Sequence, residues 1–143
     1  MIGIIGAMED EVAQLKKNME IEETTEVASL SFCRGKLSGK EVVVVRSGIG
    51  KVNAAICTQI LVDQFHVDVI INTGIAGSLD AEIDIGDIVI STDAVEHDMD
   101  ASIFGDSDRS VFLRWIHSLS RTDESLVKLA KKQTRKPSKI VHT

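Results

Sequence analysis

The chain has 143 residues, 43% of them hydrophobic, which is enough for one ordinary domain with a buried core. Its net charge of −6 argues against nucleic acid as the main partner, because phosphate backbones are gripped by lysine and arginine. No apolar run reaches the roughly 18 residues of a membrane helix, and the N-terminus lacks the basic start of a secretory signal, so a cytoplasmic protein without a membrane partner is expected.

In chain order, residues 1–6 read as a central strand and 9–18 as an amphipathic helix with Val12 and Leu15 inward. Residues 25–36 and 40–46 read as a hairpin around Ser38-Gly39, since Val42 to Val45 are all β-branched. Residues 51–65 carry Val52, Ala55, Ile56, Ile60 and Leu61 at helical spacing, and residues 67–71 and 85–90 read as further strands. Apolar strands between helices imply an α/β fold, a mixed sheet covered on both faces in a single domain over residues 1–143. Cys33 and Cys57 are too few and too far apart for a metal site or a disulfide scaffold, and are expected reduced and buried.

In such sheets ligands sit at the carboxyl ends of the strands. Three loops follow apolar strands there: 6–11 with "GAMEDE", 47–50 with "SGIG", and 73–77 with "TGIAG". "RSGIGKVNAA" invites a phosphate-loop reading, which fails. Val45 stands where the first glycine belongs, Val52 follows Lys51, and Asn53 occupies the third glycine of a dinucleotide fingerprint. That leaves a tight strand-to-helix turn, or a pocket wall with Ile49 toward an apolar ligand group. In 73–77, two glycines flanking Ile75-Ala76 let backbone amides approach a flat ligand, though an ordinary turn has the same composition. Glu9, Asp10 and Glu11 are either acids favoured at a helix start or part of a site that needs negative charge. "HDMD" at residues 97–100 has no partner cluster to complete a metal site.

Taken together, "IGIIGAMEDE", "SGIGKVNAA", "INTGIAGSL", "GDIVIS" and "HDMD" resemble, in order and spacing, the 5′-methylthioadenosine/S-adenosylhomocysteine nucleosidases of the purine nucleoside phosphorylase superfamily. The resemblance covers residues 1 to about 105. It implies a three-layer α/β/α sandwich of the nucleoside phosphorylase type, incomplete at the C-terminus, and hydrolysis of the N-glycosidic bond of an adenine nucleoside. Under it, Glu11 is the carboxylate that orients and deprotonates the attacking water. Met8 packs beneath the ribose, Ile49 lies near the 5′-alkylthio group, and Ala76 and Gly77 flank the adenine. Ile75 stands where many relatives have serine. Ala101 and Phe104 match positions that close the pocket of a partner subunit in a homodimer. No metal or organic cofactor is expected, because the leaving base is activated by protonation. A phosphorylase would need cations for phosphate, which the acidic "MEDE" stretch would repel. The alternatives are a related phosphorylase or futalosine hydrolase, or a non-catalytic adenine-nucleoside binder.

After Gly105 the resemblance stops, and it resumes at "TDESLVKLAKK", which reads as a helix. A slip of the reading frame accounts for the gap. Shifted by two bases, permitted codons for residues 110–118 read Ser-Ile-Pro-Gln-Met-Asp-Thr-Phe, and the single tryptophan codon at Trp115 supplies the Met-Asp junction. Members of the family commonly carry a stretch like "GQIPQMDTFSFKADESL" here. Residues 106–121 are therefore expected to be aberrant and to weaken the dimer. "SKIVHT" resembles a strand that leads, in the family, toward the acid that protonates adenine and the segment that grips the ribose. This chain alone is accordingly expected to release no measurable adenine.

Overall fold

β1 (Ile2–Gly6) runs parallel to β4 (Lys40–Arg46) on one side and to β5 (Val69–Asn72) on the other. Beyond β4 the sheet continues antiparallel through β3 (Leu30–Leu37) to β2 (Glu20–Val27), giving a mixed five-stranded sheet in the order β2-β3-β4-β1-β5. The computed structural model describes residues 1–92, 94, 122–133 and 139–141. The chain forms two compact units, Met1–Gly77 and Ser78–Thr143.

Within the first unit the strand period of two sends alternate side chains to opposite faces, and each face receives one helix. Ile4, Cys33, Val42 and Val44 pack with Val12 and Met19 on the side of α1 (Glu9–Asn18). Ile5, Phe32, Val43 and Val45 pack with Cys57 and Leu61 on the side of α2 (Lys51–Phe65). The run Val42–Val45 is thus buried throughout because both of its faces are covered, which makes the three layers of the nucleoside phosphorylase type. The rings of Phe32 and Phe65 stack at 5.0 Å between centroids, closing the α2 layer at its C-terminal end. α1 carries Glu9, Asp10 and Glu11 in its first turn and Lys16 and Lys17 in its last, the distribution the helix dipole favours.

In the second unit β6 (Val89–Ser91) pairs parallel with β7 (Lys139–Val141). α3 (Glu124–Gln133) starts at Asp123, whose Oδ1 accepts the N–H groups of Ser125 at 2.8 Å and Leu126 at 3.1 Å, and it buries Val127.

Several element boundaries and faces differ from the sequence reading. Residues 25–36 are not one strand. The chain turns at Ala28 and Ser29, both with positive φ (51° and 62°), and β2 precedes them. β2 is an end strand rich in acids, so it carries little of the apolar alternation that reveals strands. α2 has the expected bounds but turns Cys57 and Leu61 inward, leaving Val52 and Ile56 exposed. β5 starts at Val69, two residues later than expected, Ile71 is 40% exposed, and among the described residues β5 pairs with β1 alone. The last strand before the 97–100 segment is Val89–Ser91, while Ile85 and Ile88 are exposed and outside it. The "HDMD" stretch, Ala101, Phe104 and residues 106–121 lie outside the described residues. Among the described residues no helix is long and apolar enough to cross a membrane.

Candidate active site

Of the three acids after β1, the fold gives each a different setting. Glu9 is half exposed, bound to Lys16 Nζ at 3.1 Å and lying 3.9 Å from Arg46 Nε. Asp10 is exposed. Glu11 turns back over the start of its own helix. Its Oε2 accepts the N–H of Ala7 at 2.7 Å and of Met8 at 2.9 Å, and its Oε1 accepts the N–H of Ile75 at 3.0 Å. The bond to Met8 is the reciprocal half of a capping box, with Glu11 as the third helical residue. The bond to Ile75 spans 64 residues of sequence and ties the loop after β5 to the loop after β1.

Both loops are fixed by the sheet beneath them. The Thr73 N–H donates to Ile5 O and the Ser47 N–H to Gly6 O, each at 2.9 Å, so the three strand ends leave the sheet in register. Gly74 is required by the approach of the carboxylate, since a Cβ there would lie 2.4 Å from Glu11 Oε1. Gly48 and Gly50 take φ of 85° and 106°, which lets the chain enter α2 through a turn closed to other residues. The Asn53 amide then donates to Ile49 O at 2.8 Å and holds that turn against the helix.

These donors hold Glu11 below its ordinary carboxylate pKa, through the Met8 N–H first and the Ile75 N–H second, with desolvation opposing them and the Ala7 N–H contributing least. The group is therefore an anion at neutral pH. An ionised carboxylate offers about four lone-pair positions. Three are taken by backbone N–H groups, leaving one for a water O–H. An oriented water beside a fixed negative charge is what attack on a developing oxocarbenium carbon needs.

Ala7 and Met8, whose N–H groups Glu11 accepts, line a cleft of about 360 Å³ with Glu9, Leu30, Arg46, Ser47, Gly48 and Ile49, and Glu11 itself is not among the lining residues. The first and second sequence-predicted loops thus meet in one cleft, with Met8 and Ile49 on its walls. Ile75, Ala76 and Gly77 are not among the cleft-lining residues. They lie on the exposed loop whose Ile75 N–H holds Glu11. The sequence reading placed Ala7 and Gly74 in its candidate loops without giving either a contact to Glu11, and it missed Leu30 and Arg46. The "GA" before Met8 and the glycine before Ile75 were visible as small residues, but nothing local marks Leu30 or Arg46 as neighbours of Met8.

The mixed sheet with a carboxylate clasped across two strand-end loops defines a class. The chain belongs to the phosphorylase superfamily, whose family model matches residues 1–142. Within it, the chain is 55% identical over 105 residues to the 5′-methylthioadenosine/S-adenosylhomocysteine nucleosidase of Staphylococcus haemolyticus, a match covering 73% of this chain and 46% of that protein. It is 54% identical over 104 residues to the nucleosidase of the same name from Shewanella halifaxensis, again covering 73% of this chain and 45% of the relative. Among solved structures, the Colwellia psychrerythraea nucleosidase in complex with adenine superposes with a TM-score of 0.82 at 41% identity, covering 99% of this chain and 59% of that one. The Streptococcus pneumoniae nucleosidase with a transition-state inhibitor gives a TM-score of 0.81 at 32% identity, covering 97% of this chain and 61% of that one. The chain spans about half the length of the curated relatives it matches.

Proposed function

We propose that this chain carries the nucleoside-binding and water-activating loops of an enzyme that hydrolyses 5′-methylthioadenosine and S-adenosylhomocysteine to release adenine. The observation that carries the reading is the three-donor clasp on Glu11. It keeps one carboxylate ionised, aims it from the end of the central strand, and leaves it an acceptor position for water. Met8 packs against the ribose, Ile49 against the 5′-alkylthio group, and Ile75, Ala76 and Gly77 along the adenine. Leaving-group activation by protonation calls for no cofactor and no metal. The small-molecule partner is the adenine nucleoside, with neither nucleic acid nor a membrane involved. The match to one family model over residues 1–142 supports a single domain. Two free, buried thiols at Cys33 and Cys57 fit a reducing compartment, the cytoplasm.

A homodimer is part of the same reading. Ile49 (75% exposed), Val52 (72%) and Ile56 (45%) form an apolar stripe along the start of α2, suited to a second copy. Ala101 and Phe104 would complete the partner's pocket, and out-of-frame residues 106–121 would weaken the association.

Two titrations test the proposal. In the first, methylthioadenosine is added to isotopically labelled chain, and the amides of Ala7, Met8 and Ile75 shift saturably. In the second, residues 1–105 are joined to the C-terminal part of the Staphylococcus haemolyticus relative. Adenine release then proceeds without phosphate and is lost in Glu11→Gln. No shift on titration, or release that requires phosphate, overturns the reading.

A further inference from the structure

The cleft lining carries a charge pair that water activation does not use. Arg46 ends β4 and Glu9 begins α1, and both line the cleft with the apolar walls Met8, Leu30 and Ile49. Glu9 is held from behind by Lys16, whose Nζ reaches both carboxylate oxygens at 3.1 and 3.2 Å. Its separation from Arg46 Nε is 3.9 Å, beyond hydrogen-bond length, so the planar fork of the guanidinium is not consumed by it. The cleft lining thus combines apolar side chains with a cation and an anion 3.9 Å apart, and the guanidinium keeps donor capacity left over.

We propose that Arg46 and Glu9 clamp an α-amino-acid group at the end of a ligand's apolar tail. The ligand's carboxylate would take the Arg46 fork and its ammonium a Glu9 oxygen. A zwitterion meets an opposite charge at each end, with Lys16 offsetting part of the Glu9 charge, whereas a carboxylate lacking the amine gains the Arg46 contact alone. The thioether of S-adenosylhomocysteine ends in such a zwitterion, whereas methylthioadenosine ends in a methyl group. Resting on the nucleosidase reading of the cleft, the inference makes Arg46 and Glu9 specificity residues between two substrates that share everything else.

The test is calorimetric titration of the chain, Arg46→Ala and Glu9→Gln with three ligands. These are S-adenosylhomocysteine, methylthioadenosine, and an adenosyl thioether whose tail keeps the carboxylate but lacks the amine. Charge-assisted pairs at an exposed site are modest, so the affinity ratio of S-adenosylhomocysteine to methylthioadenosine should fall by about fivefold or more in Arg46→Ala. Glu9→Gln should weaken S-adenosylhomocysteine yet tighten the amine-free ligand, because a repulsion is removed. Equal losses for all three ligands, or an amine-free ligand that weakens with Glu9→Gln, overturn the clamp and leave the nucleosidase reading standing. If the unaltered chain binds no nucleoside at all, that reading falls and the clamp with it.

Discussion

Gly74→Ala isolates the clasp on Glu11. A Cβ at residue 74 would sit 2.4 Å from Oε1 and 2.8 Å from the carboxyl carbon, while real Cβ contacts essentially never fall under 3.0 Å. Oε1 must therefore move by at least about 0.6 Å, which disturbs its 3.0 Å bond to the Ile75 N–H. The atom displaced is the tip of a flexible side chain and not backbone, so the fold should tolerate the change while the site does not. The second-ranked donor to the carboxylate is weakened, and the pKa of Glu11 rises toward the ordinary value.

A carbon-detected NMR titration of the Glu11 carboxyl reads this directly. Gly77→Ala is the control for this titration alone, since a Cβ there meets nothing within 4 Å and so leaves the Glu11 clasp untouched. In a chain joined to the relative's C-terminal part, misplacement of the base on this scale should lower the rate by about 10²-fold. If Gly74→Ala leaves both the Glu11 titration and the Ile75 amide shift where they were, the clasp is not what sets the charge of Glu11.

Acidification should destabilise the chain. Glu11, Asp68 (paired with the Met1 ammonium) and Asp123 all have lowered pKa values, so the stability they add is present above their unfolded values, about pH 4 to 4.5, and is lost as pH falls through the folded ones. A melting series should accordingly fall away below that pH, and less steeply in Glu11→Gln; an equally steep fall in that variant would exclude Glu11 from the effect. Leu61→Ala, at a fully buried position of the α2 layer, should cost about 2–5 kcal/mol in a denaturant titration, and a cost within about 0.5 kcal/mol would mean the layer is not packed as described. Burial pushes the Cys57 thiol up to about 11, so a thiol reagent at neutral pH should modify it only after unfolding, and rapid labelling of the folded chain would contradict its place in the core. For residues 106–121, resequencing the encoding DNA should reveal a pair of compensating base changes, while an intact frame would make the segment a genuine insertion. Sedimentation of the chain should show a weak dimer, and a tight one would refute the proposed weakening.

How far the sequence could be read depended on whether a residue's neighbours in space were also its neighbours in the chain. β1 and β4 were legible because four or five consecutive apolar residues leave no face for solvent, and the sheet does bury both faces. α1 was legible because its acids, its lysines and the spacing of Val12 and Leu15 all agree on one phase. α2 has no such agreement. Val52, Ala55, Ile56, Cys57, Ile60 and Leu61 cover most of its circumference, so periodicity alone could not say which side meets the sheet. The side it left exposed is the stripe assigned here to a second copy.

The site divides along the same line. Spacing could not choose among Glu9, Asp10 and Glu11, because all three suit a helix start equally. What separates them is the partner each finds: Lys16 binds Glu9, while the Ile75 N–H, 64 residues away, holds Glu11. Family resemblance named Glu11 because it encodes that distant contact implicitly. Arg46 had no such help. After Val42–Val45 it reads as the solvated end of a strand, and only the parallel pairing of Gly6 with Arg46 sets it beside the loop after β1. A register of one residue more or less would turn Arg46 to the other face of the sheet, away from Glu9. The charge pair in the cleft is thus a property of strand register, and no window of sequence shorter than residues 6–46 contains it.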